Sequence, residues 1–282
     1  MNVKHLKDIP PWDWPEHADA MILETLRDER ADGADRAAAV ELAGTSAVIN
    51  DELAEALAAV LESGNEKDEL RARAAISLGP ALEQANMEGF DDPDDELISE
   101  KEFRKIRDLL HGIYGDADVP VLVRRRALEA SVRAPMDWHE GAVRAAWSSG
   151  ERDWRLTAVF CMSCIRGFND EILEALGSED EDIHYEAVGA AGSWALQKAW
   201  KHVSALAASD GTEKGLRIAA IEAASFIRPK EAAGLLGHLA DCDDEDIAGA
   251  TIESLTLAGG MPDDDGDIDD EDEEDENDRD FN

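Results

Sequence analysis

Seven short stretches of the chain fall onto one pattern, and that recurrence limits the possible folds more than any other feature. They are DRAAAV at 35–40, LRARAA at 70–75, VRRRAL at 123–128, WRLTAV at 154–159, IHYEAV at 183–188, LRIAAI at 216–221 and IAGATI at 247–252. Most carry an apolar residue, then Arg, then Ala three positions further on, then a second apolar residue. The Arg-equivalent positions are separated by 35, 53, 31, 29, 33 and 31 residues. A period near 30–35 is that of a helix–turn–helix unit, which cannot shelter its own apolar face and stacks on its neighbours. The one long interval holds an acidic insertion with Gly and Pro, residues 84–99, which reads as a loop.

Each unit has helical spacing. Ile183, Ala187, Ala190 and Trp194 fall at i, i+4, i+7 and i+11, as do Leu216, Ala220, Ala223 and Ile227. Asp32, Glu151, Asp180, Glu213 and Asp244 stand four positions before the Arg-equivalent sites, where an acid caps a helix or meets its positive pole. Partner helices are expected at 51–62, 101–114, 137–148, 169–176, 198–207 and 230–239. Aromatics make up only 5% of the residues, and Ala dominates the apolar set, which favours closely packed helices over sheets. The expected organisation is an N-terminal capping segment at 1–30, a solenoid at 31–260 and a disordered acidic tail at 261–282. Trp12 and Trp14, beside Pro10, Pro11 and Pro15, read as an anchor for the first unit.

This pattern resembles HEAT repeats, in particular the short bacterial kind grouped with phycobiliprotein-lyase-type repeats, over roughly Ala31 to Gly260. The resemblance implies an all-α, right-handed superhelix of about seven helix pairs. It also implies a ladder in which the recurring Arg pairs with acids of neighbouring repeats. Arg36, Arg71, Arg124, Arg155 and Arg217 take that place, whereas His184 and Ala248 depart from it. Some HEAT-like proteins are metal-dependent hydroxylases that hold two irons with several His-Glu pairs. This chain has one such pair, His139-Glu140. Chromophore lyase activity is the family's other enzymatic association, and no residue is assignable to it.

Charge narrows the partners. Against 27 Lys+Arg stand 66 Asp+Glu, a net −39. Nucleic acids and anionic membranes, which are bound through Lys and Arg, are therefore not expected as partners. Three cysteines are too few for a disulfide framework, and no apolar run reaches the length of a membrane span or signal peptide, so a cytoplasmic location is expected. Cys161 and Cys164 form a CxxC within a helical stretch, a context that favours buried packing over zinc or redox chemistry. The acidic run 263–272 lacks the carboxylate that a calcium loop needs at its first position.

One region runs against the acidic background. From Val123 to Arg166 there are eight Arg and five acids, with Trp138, Trp147 and Trp154 among them. Trp and Arg are the residues most enriched at interface hot spots. Arg125, Arg126, Trp138, Arg144, Trp147 and Arg152 are accordingly the expected partner-binding residues. The resulting functional expectation is a non-enzymatic scaffold or adaptor for a protein or peptide, without cofactor or metal. The alternatives are a metal-dependent or lyase-type enzyme, implied by the resemblance, and, from charge alone, an acidic chaperone or decoy for basic proteins or a tail that competes for the Arg-rich middle. None of these features decides the oligomeric state, and a monomer is compatible with them.

Overall fold

The computed structural model describes residues 3–91 and 96–259, and among them every regular element is helical. The chain is an all-α solenoid. The first helix, α1 (Ala18–Arg27), packs on α2 (Gly33–Ala43), and α3 (Asp51–Glu62) packs on α4 (Asp68–Ser77). After α5 (Gly79–Glu88) the scheme resumes with α6 (Glu100–Gly115) on α7 (Val121–Ser131) and α8 (Trp138–Ser148) on α9 (Arg152–Met162). The last three pairs are α10 (Asn169–Ala175) on α11 (Glu181–Ser193), α12 (Trp200–Ala208) on α13 (Lys214–Ile227), and α14 (Pro229–Leu236) on α15 (Glu245–Gly259). The second helix of every pair carries the recurring motif. These seven helices pack side by side in chain order, forming one layer, and their partners form the other.

The motif explains that layer. Its Ala position is occupied by Ala39, Ala74, Ala127, Ala158, Ala187 and Ala220, all fully buried. Five residues beyond it the row is often glycine, and there the backbones touch. A Cβ on Gly44 would lie 2.2 Å from the Ser77 carbonyl oxygen, and one on Gly192 would lie 2.8 Å from the Ala223 Cα. Small residues at these heights set the helix separation, and any enlargement forces the helices apart. The apolar position after the Ala, from Val40 to Ile221, is likewise sealed in six units. In α15 the equivalent Ile252 is 53% exposed, because no further helix follows on that side among the described residues.

The recurring Arg closes the partner helix of its own pair. Nη2 of Arg36 donates to the Leu26 carbonyl at 3.2 Å, and Nε of Arg71, Arg124 and Arg217 donates to the carbonyls of Leu61, Tyr114 and Ala207 at 2.9, 2.9 and 3.0 Å. Each acceptor lies ten residues back, in the last turn of a helix, where carbonyls lack an intrahelical donor and the negative pole is closest. Acids of other units enter only in part. Arg36 meets Glu66 at 2.5 Å and Arg155 meets Glu174 at 3.3 Å, whereas Arg217 pairs with Asp210 of its own unit at 2.9 Å. His184 instead reaches His202, Nε2 to Nε2 at 2.8 Å. At the other helix ends, Asp32, Asp180, Glu213 and Asp244 accept backbone N–H bonds, and each carboxyl is held below its usual range, chiefly by those bonds at Asp32 and Glu213 and chiefly by Arg152 at Asp180 and Lys214 at Asp244. Glu151 makes no such cap.

Two boundaries differ from the sequence expectation. The first pair begins with α1, inside the anticipated cap, so the cap reduces to the segment before Ala18. Val3 and Leu6 are buried there, Lys4 pairs with Asp35 at 2.8 Å, and the Trp14 indole donates to the Leu6 and Ile9 carbonyls. Trp12, by contrast, is exposed. Residues 84–88 of the anticipated loop belong to α5, whose Ala81, Leu82 and Ala85 are buried in a helix packed on α7. Residues 92–95 and the tail from Met261 lie outside the described residues.

Two outcomes test this packing. Ile221→Ala should destabilise by about 2–4 kcal/mol, whereas Ile252→Ala should cost roughly 0.5 kcal/mol or less, measured by urea denaturation. Arg71→Met, which leaves the buried Leu61 carbonyl without its donor, should cost about 1–3 kcal/mol in the same measurement.

Candidate functional site

The Arg/Trp-rich middle does not form one surface. Arg125, Arg126 and Arg152 belong to the layer of motif helices, and Trp138, Arg144 and Trp147 all lie on α8 in the opposite layer. Arg125 is buried. Its Nε donates to Thr157 Oγ1 at 2.9 Å, its Nη1 meets Asp153 at 2.6 Å, and burial lowers its pKa. Thr157 in turn donates to the buried Glu129 at 2.5 Å, and Glu129 also holds Arg126. Arg152 is clamped by Asp180 at 2.7 and 3.1 Å and by Asp182. Arg144 lies over the Phe168 ring and meets Glu140 at 3.1 Å and Glu171 at 3.4 Å.

The tryptophans are equally engaged. Trp138 stacks between His111, Tyr114 and His139, with centroids at 4.5, 5.3 and 3.8 Å. Trp147 lies under the Arg155 guanidinium at 4.1 Å. The local excess of arginine is therefore spent on carboxylates and rings of the protein itself. The acidic tail, expected to compete for this patch, lies outside the described residues.

His139 is fully buried; its Nδ1 accepts from the Met136 N–H at 2.8 Å and its Nε2 lies 3.0 Å from Ser131 Oγ. Burial pushes its pKa down to about 4, so it stays neutral and joins α8 to the end of α7. Its neighbour Glu140 is exposed and faces Arg144. Cys161 and Cys164 are free thiols, and burial raises both pKa values. Among the described residues no group of three or more His, Cys, Asp or Glu is placed to hold a metal. No helix among them is long and apolar enough to cross a membrane.

What the structure brings together lies elsewhere, on the free face of the motif layer. A hollow of about 780 Å³ is lined by residues of α2, α4, α7, α9 and α11, including Glu41, Arg73, Ile76, Arg126, Phe160 and Tyr185. Helices packed about 9 Å apart would put α2 and α11 roughly 36 Å from each other in a flat layer. The hollow therefore runs as an elongated groove across five consecutive motif helices. A second hollow, of about 420 Å³, continues it between α9, α11 and α13 and shares Phe160, Tyr185 and Glu186.

The groove is apolar and acidic. Tyr185 is 46% exposed, Phe226 38% and Ile76 38%, each large enough that exposure costs solvation free energy. On the N-terminal side its charges are paired, Arg73 with Glu41 and Arg126 with Glu129. Towards the C-terminus they are not. Glu186 and Glu222 have no cation partner among the described residues, and both carboxyl pKa values are raised, first by burial and then by Glu129 and Glu253 respectively. Arg126 opposes the rise at Glu186 without cancelling it. Sequence reasoning missed these residues because it followed the buried stripe of the motif helices. The signal was present one step round the helix: groove residues fall two, five and nine positions after the Arg-equivalent site, as Glu186, Glu222 and Phe226 do.

No family model and no curated protein matches the chain. Among solved structures it is similar to human deoxyhypusine hydroxylase in complex with glycerol, at 14% identity and a TM-score of 0.41, covering 89% of this chain and 88% of that one. It is also similar to the complex of CpcE and CpcF of phycocyanin lyase from Nostoc sp., at 17% identity and a TM-score of 0.41, covering 89% of this chain and 98% of that one. This corrects one expectation. The reading that the chain is not an enzyme does not stand, because both neighbours are named as enzymes, a hydroxylase and a lyase. At these identities and TM-scores the likeness assigns no reaction to this chain.

The raised carboxyls make a testable pH dependence. A carboxyl whose pKa is higher folded than unfolded stabilises the fold only while protonated, and that contribution is lost as pH rises through the raised value. Glu186→Gln should therefore melt above the parent protein at neutral pH, and the difference should shrink on acidification into the carboxylate range. Differential scanning calorimetry across pH reads this out.

Proposed function

We propose that this chain is a HEAT-type solenoid that holds a protein partner in the groove of its motif layer. The observation that supports this reading is the set of large apolar side chains, Ile76, Tyr185 and Phe226, left open to solvent inside a groove and set beside Phe160. An elongated hollow crossing several helices suits a chain segment better than a compact small molecule. The acidic groove and net charge of −39 favour basic partners over nucleic acid or anionic membrane. Three unbridged cysteines fit a reducing compartment, so we place the encounter in the cytoplasm.

Affinity capture with the full-length chain, followed by purification of the captured protein, supplies the partner for a direct test. Tyr185→Ser combined with Phe226→Ser should weaken its Kd by about tenfold or more, the scale of losing one or two interface anchors. Trp138→Ala, on the other layer, should leave the Kd unchanged. Equal Kd values for the parent and the groove variant, with circular dichroism unaltered, would overturn the groove as the binding site.

A further inference from the structure

The C-terminal half of the groove carries Glu186 and Glu222 beside its aromatic side chains, and Glu253 on the next helix extends the acidic line beyond the hollow. Glu222 on α13 and Glu253 on α15 occupy the same register, five positions after the Arg-equivalent site, on helices packed directly together. Glu253 is close enough to Glu222 to raise its pKa by repulsion. Glu186 continues the acidic line onto α11, the helix that also presents Tyr185. None of the three has a cationic partner among the described residues, whereas Arg73, Arg126 and Arg133 at the other end of the groove are paired with Glu41, Glu129 and Glu83. Phe160, Tyr185 and Phe226 stand beside this line, with small Gly189, Ala219 and Ala223 forming the floor.

Resting on the groove reading above, we infer that its occupant is an extended, polyproline-II-like segment bearing Lys or Arg at every third position, with Pro or aliphatic residues between. Neighbouring helices of such a layer lie about 8–10 Å apart, so Glu222 and Glu253, which share a register, repeat at about that distance, and Glu186 follows on the next helix just under one turn off it. A polyproline-II chain turns once in three residues and rises ~3.1 Å per residue, so residues three apart face the same way about 9.3 Å from each other. A β-strand would turn residues three apart to opposite faces. Rings on the groove wall suit the ridged, preformed polyproline helix, which loses little conformational entropy on docking. Each cation that reaches the row relieves repulsion between acids while its apolar neighbours cover Tyr185 and Phe226.

Fluorescence anisotropy with the full-length chain tests this, using a labelled peptide of repeating Lys-Pro-Leu triplets. A peptide of the same composition with its lysines clustered tests the spacing, and one with Glu for Lys tests the charge. The triplet peptide should bind, the clustered one several-fold more weakly, and the Glu peptide not at all. Glu222→Gln with Glu253→Gln should weaken the triplet peptide by about tenfold. Glu24→Gln with Glu52→Gln, which removes the same charge from the other layer, should leave it unchanged. Equal loss in both double variants, or equal binding of the clustered peptide, would reduce the effect to net charge and overturn the inference.

Equal binding of the Lys and Glu peptides, both abolished by Tyr185→Ser with Phe226→Ser, would overturn the charge assignment and leave the groove standing. Failure of the triplet peptide to bind a chain folded by circular dichroism would also overturn it. The groove reading itself is judged separately, by the captured partner's response to Tyr185→Ser with Phe226→Ser.

Discussion

A buried guanidinium that donates to the end of its partner helix is the contact on which the helix pairs of this solenoid depend. The last turn of an α-helix leaves carbonyls without donors, and burying them between two layers is costly unless a donor arrives from outside. Arg36, Arg71, Arg124 and Arg217 supply it, each from the first turn of the following helix, and each bond fixes the angle at which that helix returns. The bond is local, so each of these four units closes independently. Stacking then needs only small residues at matching heights, which the Ala row and Gly44 and Gly192 provide. Where the Arg is diverted or missing, other groups intervene. Ser149 donates its hydroxyl to the Ala146 carbonyl at the end of α8, leaving Arg155 to stack on Trp147, and His184 bonds His202 across two units.

This use of arginine shapes the electrostatics of the whole chain. With more than two acids for every base, the arginines of the middle region are drawn into carboxylate clamps such as Arg152 with Asp180 and Asp182, or Arg125 with Asp153. Pairing them leaves the surplus as carboxylates, and within the groove that surplus collects at Glu186 and Glu222. Burial and like-charge neighbours raise their proton affinity, so a cation arriving there meets acids that are costly to leave ionised alone. The same sites therefore lower the stability of the fold at neutral pH, and the proposed basic occupant would relieve them.

Much of the fold was legible in the residues. The partner helix anticipated at 51–62 is α3 to the residue, and the Ala of six of the seven motifs lies where the helices touch. Four of the five acids placed before the motif cap a helix. Residues 84–88 read as loop because the acids and Gly89 that follow obscured the end of a short apolar stripe, Ala81, Leu82 and Ala85, whose burial depends on α7 far along the chain. The tryptophans misled for a related reason: Trp138 and Trp147 look like exposed anchors in the sequence, yet each is covered by rings or a guanidinium that folding brings to it.

The sequence by itself determined the repeat: helical period, small residues at a constant height and an Arg at the same place in five of seven units are properties of consecutive residues, and closure by Arg36, Arg71, Arg124 and Arg217 spans only ten of them. Which faces stay open was decided by the tertiary structure alone. The groove exists because α2 to α13 pack side by side, and whether Arg73, Glu186 or Phe226 is paired, stranded or exposed depends on side chains from other units. A periodic local contact can be read along one strand of text, whereas a surface is what remains after every unit has chosen its neighbours.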